Sequence, residues 1–295
     1  MIKKQIVTVV AVVAVMGYLY IQPVKGLVKP KEERTAPGKQ ATESNPVASK
    51  INVAAVSVPA KTAIGTDLAG KITSLEEALK KAGSASEKIK LQTELAHEWD
   101  NVNQPAPAAF YYMDLAQAKN DFENWFTAGS RFNDAYKFTQ DTTMQPTFVS
   151  NAILSFKKAA ALRPADLESK TGLGVAYVNQ TSLGITDPDG GSPMQGIMLL
   201  REVVGTDPDN WNANLNLGQF AMKSGQYQKA VERFKHMIAL DNKRSKVEPY
   251  FYLAESYKQL GMKKEAIDAY VKCKEMMGDP AMGQTIDNYI NELKN

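Results

Sequence analysis

The sequence contains few of the cysteine and histidine residues on which disulfide-stabilised proteins and many metal-binding and catalytic proteins depend. Its 295 residues include a single cysteine, Cys273, so no disulfide can form within the chain. Histidine occurs only at His97 and His236, and the motifs of zinc peptidases, serine hydrolases, thiol oxidoreductases and phosphate-binding loops are absent. We therefore expect no catalytic residue, no cofactor and no metal site, and we predict that the chain is not an enzyme.

Acidic residues are scarce at the N-terminus. Residues 1–61 contain nine Lys and Arg but only three Asp and Glu, whereas the remainder contains 26 basic and 29 acidic residues. The formal net charge of +3 therefore arises from the N-terminal segment, and the rest of the chain is mildly acidic. A mildly acidic body argues against nucleic acid as a partner.

Long apolar runs are also rare, and the main one, residues 6–21, follows Lys3 and Lys4. As a helix at about 1.5 Å per residue it would span ~24 Å, which suffices for a ~30 Å hydrocarbon core with local thinning. We predict a transmembrane signal anchor over residues 1–22 in the inner (cytoplasmic) membrane, with the body exported to the periplasmic side. A cleaved signal peptide is the alternative.

A helical period is absent from residue 22 to about residue 68. Residues 23–68 are rich in Lys, Pro, Ala, Ser and Thr and are predicted to be a flexible linker, although the apolar segment 51–58 could dock on the body. Capping boxes, Ser-x-x-Glu, begin at Ser74 and Ser84. They predict helices over residues 73–82 and 85–101, the first of a helical domain that spans residues 69–295.

Two C-terminal segments, residues 211–241 and 247–277, repeat each other at an interval of about 36 positions. Small residues at shared positions allow the two helices of a pair to approach closely, and large apolar residues fill the space between pairs. A shared glycine fits the tight turn between paired helices. The aligned positions are Leu217 with Leu253, Gly218 with Ala254, Gly225 with Gly261, Ala230 with Ala266, and Phe234 with Tyr270.

This pattern resembles the tetratricopeptide repeat (TPR), a helix–turn–helix unit of about 34 residues, in its membrane-anchored bacterial form. The resemblance implies an all-α, TPR-like solenoid of antiparallel helix pairs, with a capping helix over residues 281–294. An irregular helical bundle with chance periodicity is the alternative. The implied units span residues 85–118, 121–164, 166–208, 211–242 and 247–278.

In this family, recurring positions of the first helix of each unit face the ligand. The resemblance therefore implies a concave groove lined by Phe126, Asn133, Thr171, Asn212, Leu215, Gln219, Met222, Phe251 and Glu255. Other family positions on the same helices are occupied by Ser130, Asp134, Val175 and Asn179. Leu215 and Phe251 could instead pack against a neighbouring helix. The Lys and Asn set with which some members bind chaperone C-termini is not matched.

The expected function is that of a membrane-tethered scaffold or adaptor that binds a peptide or helix of a protein partner. An envelope assembly factor or chaperone, for example in cytochrome or outer-membrane biogenesis, is the alternative. An enzyme subunit that holds its substrate on the repeats has no local support in the sequence. Homo-oligomerisation through the end repeats is compatible with either of the first two functions.

Overall fold

The structure, a computed structural model, describes residues 51–185, 193–278 and 280–294, which form thirteen α-helices and no β-strand. The predicted anchor over residues 1–22 lies outside the described residues, and no helix within them is long and apolar enough to cross a membrane. In chain order the helices are α1 Val53–Ala63, α2 Thr66–Lys81, α3 Ala85–Asn101, α4 Pro105–Lys119, α5 Phe122–Phe138, α6 Gln145–Leu162, α7 Leu167–Ser182, α8 Pro193–Thr206, α9 Trp211–Lys223, α10 Tyr227–Ala239, α11 Val247–Gln259, α12 Lys263–Met276 and α13 Pro280–Lys294.

Helices α3 to α12 form five consecutive pairs, and each pair packs against the next. The first helices α5, α7, α9 and α11 also contact one another in succession, and we call the surface that they form the inner face. The last helix, α13, packs against α12 at the C-terminal end of the array. This arrangement confirms the predicted all-α solenoid of helix pairs.

In the second pair, α5/α6, and the fourth pair, α9/α10, the two helices are in close contact where a glycine packs against an aromatic ring. A methyl group built at Gly129 would lie 2.9 Å from the ring of Phe156, and one at Gly218 would lie 2.6 Å from the ring of Phe234. Both rings are buried. Because real Cβ atoms do not approach a ring so closely, only glycine allows the helices this contact.

In the third pair, α7/α8, the close contact is instead between two glycines, one on each helix. A methyl group at Gly196 would lie 2.5 Å from the carbonyl oxygen of Gly174 and 2.8 Å from Cγ2 of Val178. Leu200 is the α8 residue that aligns with Phe156 and Phe234 of the other pairs. The two helices therefore approach backbone to backbone, without an aromatic ring between them.

Glycine also closes the turns of the fourth and fifth pairs, as the repeat pattern predicts. Gly225 and Gly261 have φ angles of 72° and 74°. This left-handed conformation costs other L-residues about 1–2 kcal/mol because Cβ approaches the following carbonyl oxygen.

The structure corrects the prediction that the flexible linker extends to residue 68. Residues Val53–Ala63 form α1, which packs on α4 through Val56 and Ala60, both of them buried. Ser57 donates a 2.6 Å hydrogen bond from Oγ to Oε1 of Glu76 on α2, and Lys61 pairs with the same carboxylate. The apolar spacing of α1 was obscured by Pro59, a residue that is unfavourable inside a helix.

The helix starts were predicted with mixed success. Ser84 caps α3 as predicted, since its Oγ accepts from the backbone N–H of Glu87 at 3.1 Å. Ser74 caps nothing, because α2 already begins at Thr66 and the Ser74 hydroxyl donates to the carbonyl oxygen of Gly70. Serine and threonine hydroxyls within a helix commonly bond to the preceding turn in this way.

Candidate functional site

A groove of about 630 Å³ lies on the inner face along α5, α7 and α9, and we call it the inner groove. Three first helices contribute to it because successive first helices lie side by side in the array. Seven of the nine residues predicted to line a groove are brought together here: Phe126, Asn133, Thr171, Asn212, Leu215, Gln219 and Met222.

The other two predicted residues, Phe251 and Glu255 on α11, lie outside the inner groove because the C-terminal helix α13 engages this part of α11. The ring of Phe251 lies 6.3 Å from that of Tyr289 on α13 and 6.2 Å from that of Tyr270 on α12. Glu255 accepts a short hydrogen bond from the hydroxyl of Tyr270. Packing at the end of the array therefore occupies both side chains.

Amide side chains give the inner groove its polar character. Asn179 is only 6% exposed, lines the groove, and forms no side-chain hydrogen bond within the described part of the chain. Asn133 donates to the carbonyl oxygen of Gly172 at 3.1 Å, but its own Oδ1 is buried without a partner among the described residues. Buried polar groups nearly always have hydrogen-bond partners, so these two amides are suited to a ligand that supplies a donor or an acceptor in the groove.

Other polar residues of the inner groove are held by contacts between repeats. Asn212 on α9 donates to Glu168 on α7 at 2.6 Å, and Gln219 on α9 donates to Glu248 on α11 at 3.4 Å. The Thr171 hydroxyl donates to the carbonyl oxygen of Leu167 within its own helix. These bonds fix the spacing of the first helices and leave the amide oxygens of Asn212 and Gln219 available to accept.

Apolar side chains form the floor of the inner groove. Phe126 meets Phe156 edge to face, with ring centroids 5.9 Å apart, and Leu215 and Met222 continue the apolar surface on α9. A methyl group at Gly172 would overlap the ring of Phe156, so glycine at this position lets the ring reach the groove. Sequence reasoning missed Phe156 because it lies on the second helix of its pair.

Charge in the inner groove is balanced. Asp134 and Glu168 provide carboxylates, and Lys137 and Lys223 provide ammonium groups. Burial raises the pKa of Asp134, although Arg131 lies only 3.4 Å away and opposes the shift. A groove with mixed signs does not select a strongly charged ligand, so recognition depends on its amides and apolar floor.

The described residues offer no candidate metal site, and their one thiol is buried. They contain no group of three or more His, Cys, Asp or Glu side chains that could hold a metal ion. Cys273 is buried in the core, and burial raises the pKa of its thiol. A thiol held protonated in an apolar core packs like a small hydrophobic residue.

Comparison with known proteins agrees with this geometry. Residues 191–248 match the family model of the tetratricopeptide repeat. This segment carries the tetratricopeptide repeat pattern. The matched segment covers the third pair's second helix and the whole fourth pair, which is where the inner groove receives Leu215 and Met222. No curated protein sequence matches the chain.

Solved structures show the same fold. A thermophilic TPR protein of Thermus thermophilus has a TM-score of 0.53 and 18% sequence identity, over 70% of this chain and 98% of its own. A chain of the APC/C hetero-tetramer Cut9–Hcn1 also has a TM-score of 0.53, with 14% identity, over 85% of this chain and 43% of its own. Likeness at such low identity establishes the TPR-like fold and not a shared partner.

Proposed function

We propose that this TPR chain is a membrane-tethered scaffold that binds an extended segment of a protein partner in the inner groove. Asn179 carries the proposal, because a nearly buried amide without a partner among the described residues is suited to a ligand that supplies both a donor and an acceptor. A peptide backbone does so at every residue except proline. The apolar floor around Phe126 and Leu215 would accommodate the segment's side chains.

The membrane tether in this proposal rests on sequence alone. The apolar run at residues 6–21 follows Lys3 and Lys4, and the intervening segment to residue 50 would connect it to α1. Orientation with the repeats on the exported side is part of the proposal. Lys3 and Lys4 favour a cytoplasmic N-terminus, whereas four basic residues after the run oppose it, namely Lys25, Lys29, Lys31 and Arg34. Solenoids offer extended surfaces for binding, and we propose no catalytic activity.

Affinity capture with the full-length chain tests the groove. The chain, purified from detergent-solubilised membranes, would be compared with Leu215→Glu and with Leu162→Glu, a control whose leucine is exposed outside the groove. Partners that depend on the groove should be lost with Leu215→Glu and retained with the control, as quantified by mass spectrometry. The same proteins captured by all three would contradict the proposal.

A second, milder variant guards against loss of folding. Asn179→Ala removes only an amide and should weaken binding of peptides from a captured partner by about threefold to tenfold, since a hydrogen bond contributes about 1 kcal/mol. Circular dichroism would confirm that helix content is unchanged. Comparable affinity for many unrelated peptides would instead indicate a chaperone, the alternative function.

The tether is tested separately with a reporter enzyme that is active only outside the cytoplasm. Fused after Asn295, it should be active and should sediment with membranes. Deletion of residues 6–21 should abolish both properties. Activity that persists in the soluble fraction of the full-length fusion would show that the segment is cleaved or does not anchor the chain.

A further inference from the structure

A second cleft, of about 740 Å³, lies where the third pair meets the fourth, and we call it the joint cleft. It is bounded by the end of α7, by α8 and by the fourth pair, α9/α10. Its walls are partly apolar, formed by Val178, Ile197, Val204, Leu217 and Phe220. Phe220 and Lys223 of α9 border both this cleft and the inner groove, but the other apolar wall residues belong to the joint cleft alone.

The packing of α8 explains why this joint is open. Gly174 and Gly196 draw α8 against α7 until their backbones touch. Helix α8 packs against α9 less extensively than the corresponding helices pack at the other joints between pairs. The aromatic ring of the aligned position is absent because the residue is Leu200, so no large side chain fills the space.

Positive charge dominates the joint cleft. Four basic side chains, Arg201, Lys223, Lys229 and Arg233, line it against one carboxylate, that of Glu232. Burial lowers the pKa of Arg233, and the nearby charge of Arg201 lowers it further. Two guanidinium groups that repel each other would gain free energy from an anion placed between them.

Neither Arg201 nor Arg233 forms an ion pair with a carboxylate among the described residues. Arg233 donates to the amide oxygen of Asn214, at 2.7 Å. By contrast, Arg131 binds Asp100 at 2.6 Å and Arg163 binds Glu123 at 2.8 Å. Arginine is well suited to bidentate binding of carboxylates, so the two arginines of the joint cleft are available to a ligand.

We propose that the joint cleft binds an acidic, apolar segment of a protein partner, with a Glu or Asp carboxylate between Arg201 and Arg233. Apolar side chains on either side of that carboxylate would lie on Ile197 and Leu217. The basic residues of α10 in the cleft, Lys229 and Arg233, lie about 6 Å apart along the helix, and Arg201 and Lys223 add charge from α8 and α9. Charge spread along the cleft fits a segment with several carboxylates better than a lipid with one charged end.

A peptide array tests this proposal on the full-length chain in detergent. One half carries short peptides in which Leu or Phe alternates with Glu, and the other half carries the same peptides with Gln in place of Glu. The joint cleft should bind the Glu peptides selectively. Combining Arg201→Gln with Arg233→Gln should weaken that binding about tenfold or more, because it removes both guanidinium groups that would bind the carboxylate.

Matched variants separate this site from the inner groove. Arg163→Gln, which removes an arginine that does not line the cleft, and Asn179→Ala, which alters the inner groove, should both retain binding of the Glu peptides. Loss of binding with Asn179→Ala but not with the double variant would place these peptides in the inner groove. Equal binding of the Gln peptides, or binding of inorganic phosphate or anionic phospholipid vesicles without any binding of peptide, would overturn the proposal.

Discussion

The second and third helix pairs of this chain are adjacent and follow the same repeat pattern, yet they pack in opposite ways. In the second pair, the ring of Phe156 lies between Gly129 of its own pair and Gly172 of the next, so the joint is filled. In the third pair, Gly174 and Gly196 bring the two backbones into contact, and the joint that follows contains the joint cleft.

The comparison shows that one position of the repeat controls the space between pairs. A phenylalanine at the aligned position packs its ring on a glycine of the first helix and also contacts the next pair. A leucine at that position, combined with a glycine four residues earlier, lets the helices close on each other. The same fold therefore yields a continuous core at one joint and an open cleft at the next.

The largest expected effect on stability comes from a substitution at the filled joint between the second and third pairs. Phe156→Ala removes a ring that is 2% exposed and should lower the free energy of unfolding by about 3–5 kcal/mol, because the cavity borders two helix pairs. Urea unfolding, followed by tryptophan fluorescence, measures the change, and Trp125 on α5 reports on this pair. A loss below about 1 kcal/mol would mean that the joint collapses around the cavity.

The stability of the fold should also be sensitive to substitution at the contact between α7 and α8 of the third pair. Gly196→Ala places a methyl group 2.5 Å from the carbonyl oxygen of Gly174 and should destabilise the fold by about 1–3 kcal/mol through overpacking. Gly205→Ala is the matched control, because it lies on the same helix and an added Cβ meets nothing within 4 Å. The control should be neutral or slightly stabilising, since alanine favours helix over glycine by up to about 1 kcal/mol.

If Gly196→Ala were as well tolerated as its control, the two helices would not need backbone contact. The explanation of the joint cleft would then fail, although the arginines that line it would remain. Thermal unfolding of both variants, followed by circular dichroism, gives this comparison directly.

The repeat pattern in the sequence predicts most of this architecture. The helix predicted over residues 85–101 is observed as Ala85–Asn101, whereas the helix predicted over residues 73–82 begins earlier, at Thr66. Helix α1 was assigned to the linker, because Pro59 disfavours helix locally and only the contact with α4 reveals a buried side. Tertiary packing overrode the local signal there.

The two clefts differ in how far the sequence could predict them. The inner groove depends on positions that face the ligand in the TPR family, so the resemblance to that family implied seven of its residues along α5, α7 and α9. Phe251 and Glu255 do not line the inner groove, because packing at the end of the array occupies both side chains. No repeat position indicates the contact of α13 with α11. The joint cleft depends on a contact between two helices, and the exchange of an aromatic residue for Leu200 was its only visible signal.

The smallest expected effect concerns the turns that close the pairs. The fourth pair turns at Gly225, with φ of 72°, whereas the third has a longer connection between α7 and α8. Gly225→Ala should destabilise the fold by about 1–2 kcal/mol, because the Cβ of alanine approaches the following carbonyl oxygen in a left-handed backbone conformation. Gly83→Ala, at a glycine without positive φ and with nothing within 4 Å of an added Cβ, should change stability by less than about 0.5 kcal/mol. Equal unfolding free energies for the two variants would show that the fourth turn adopts another conformation at no cost, and that helix contacts alone hold each pair together.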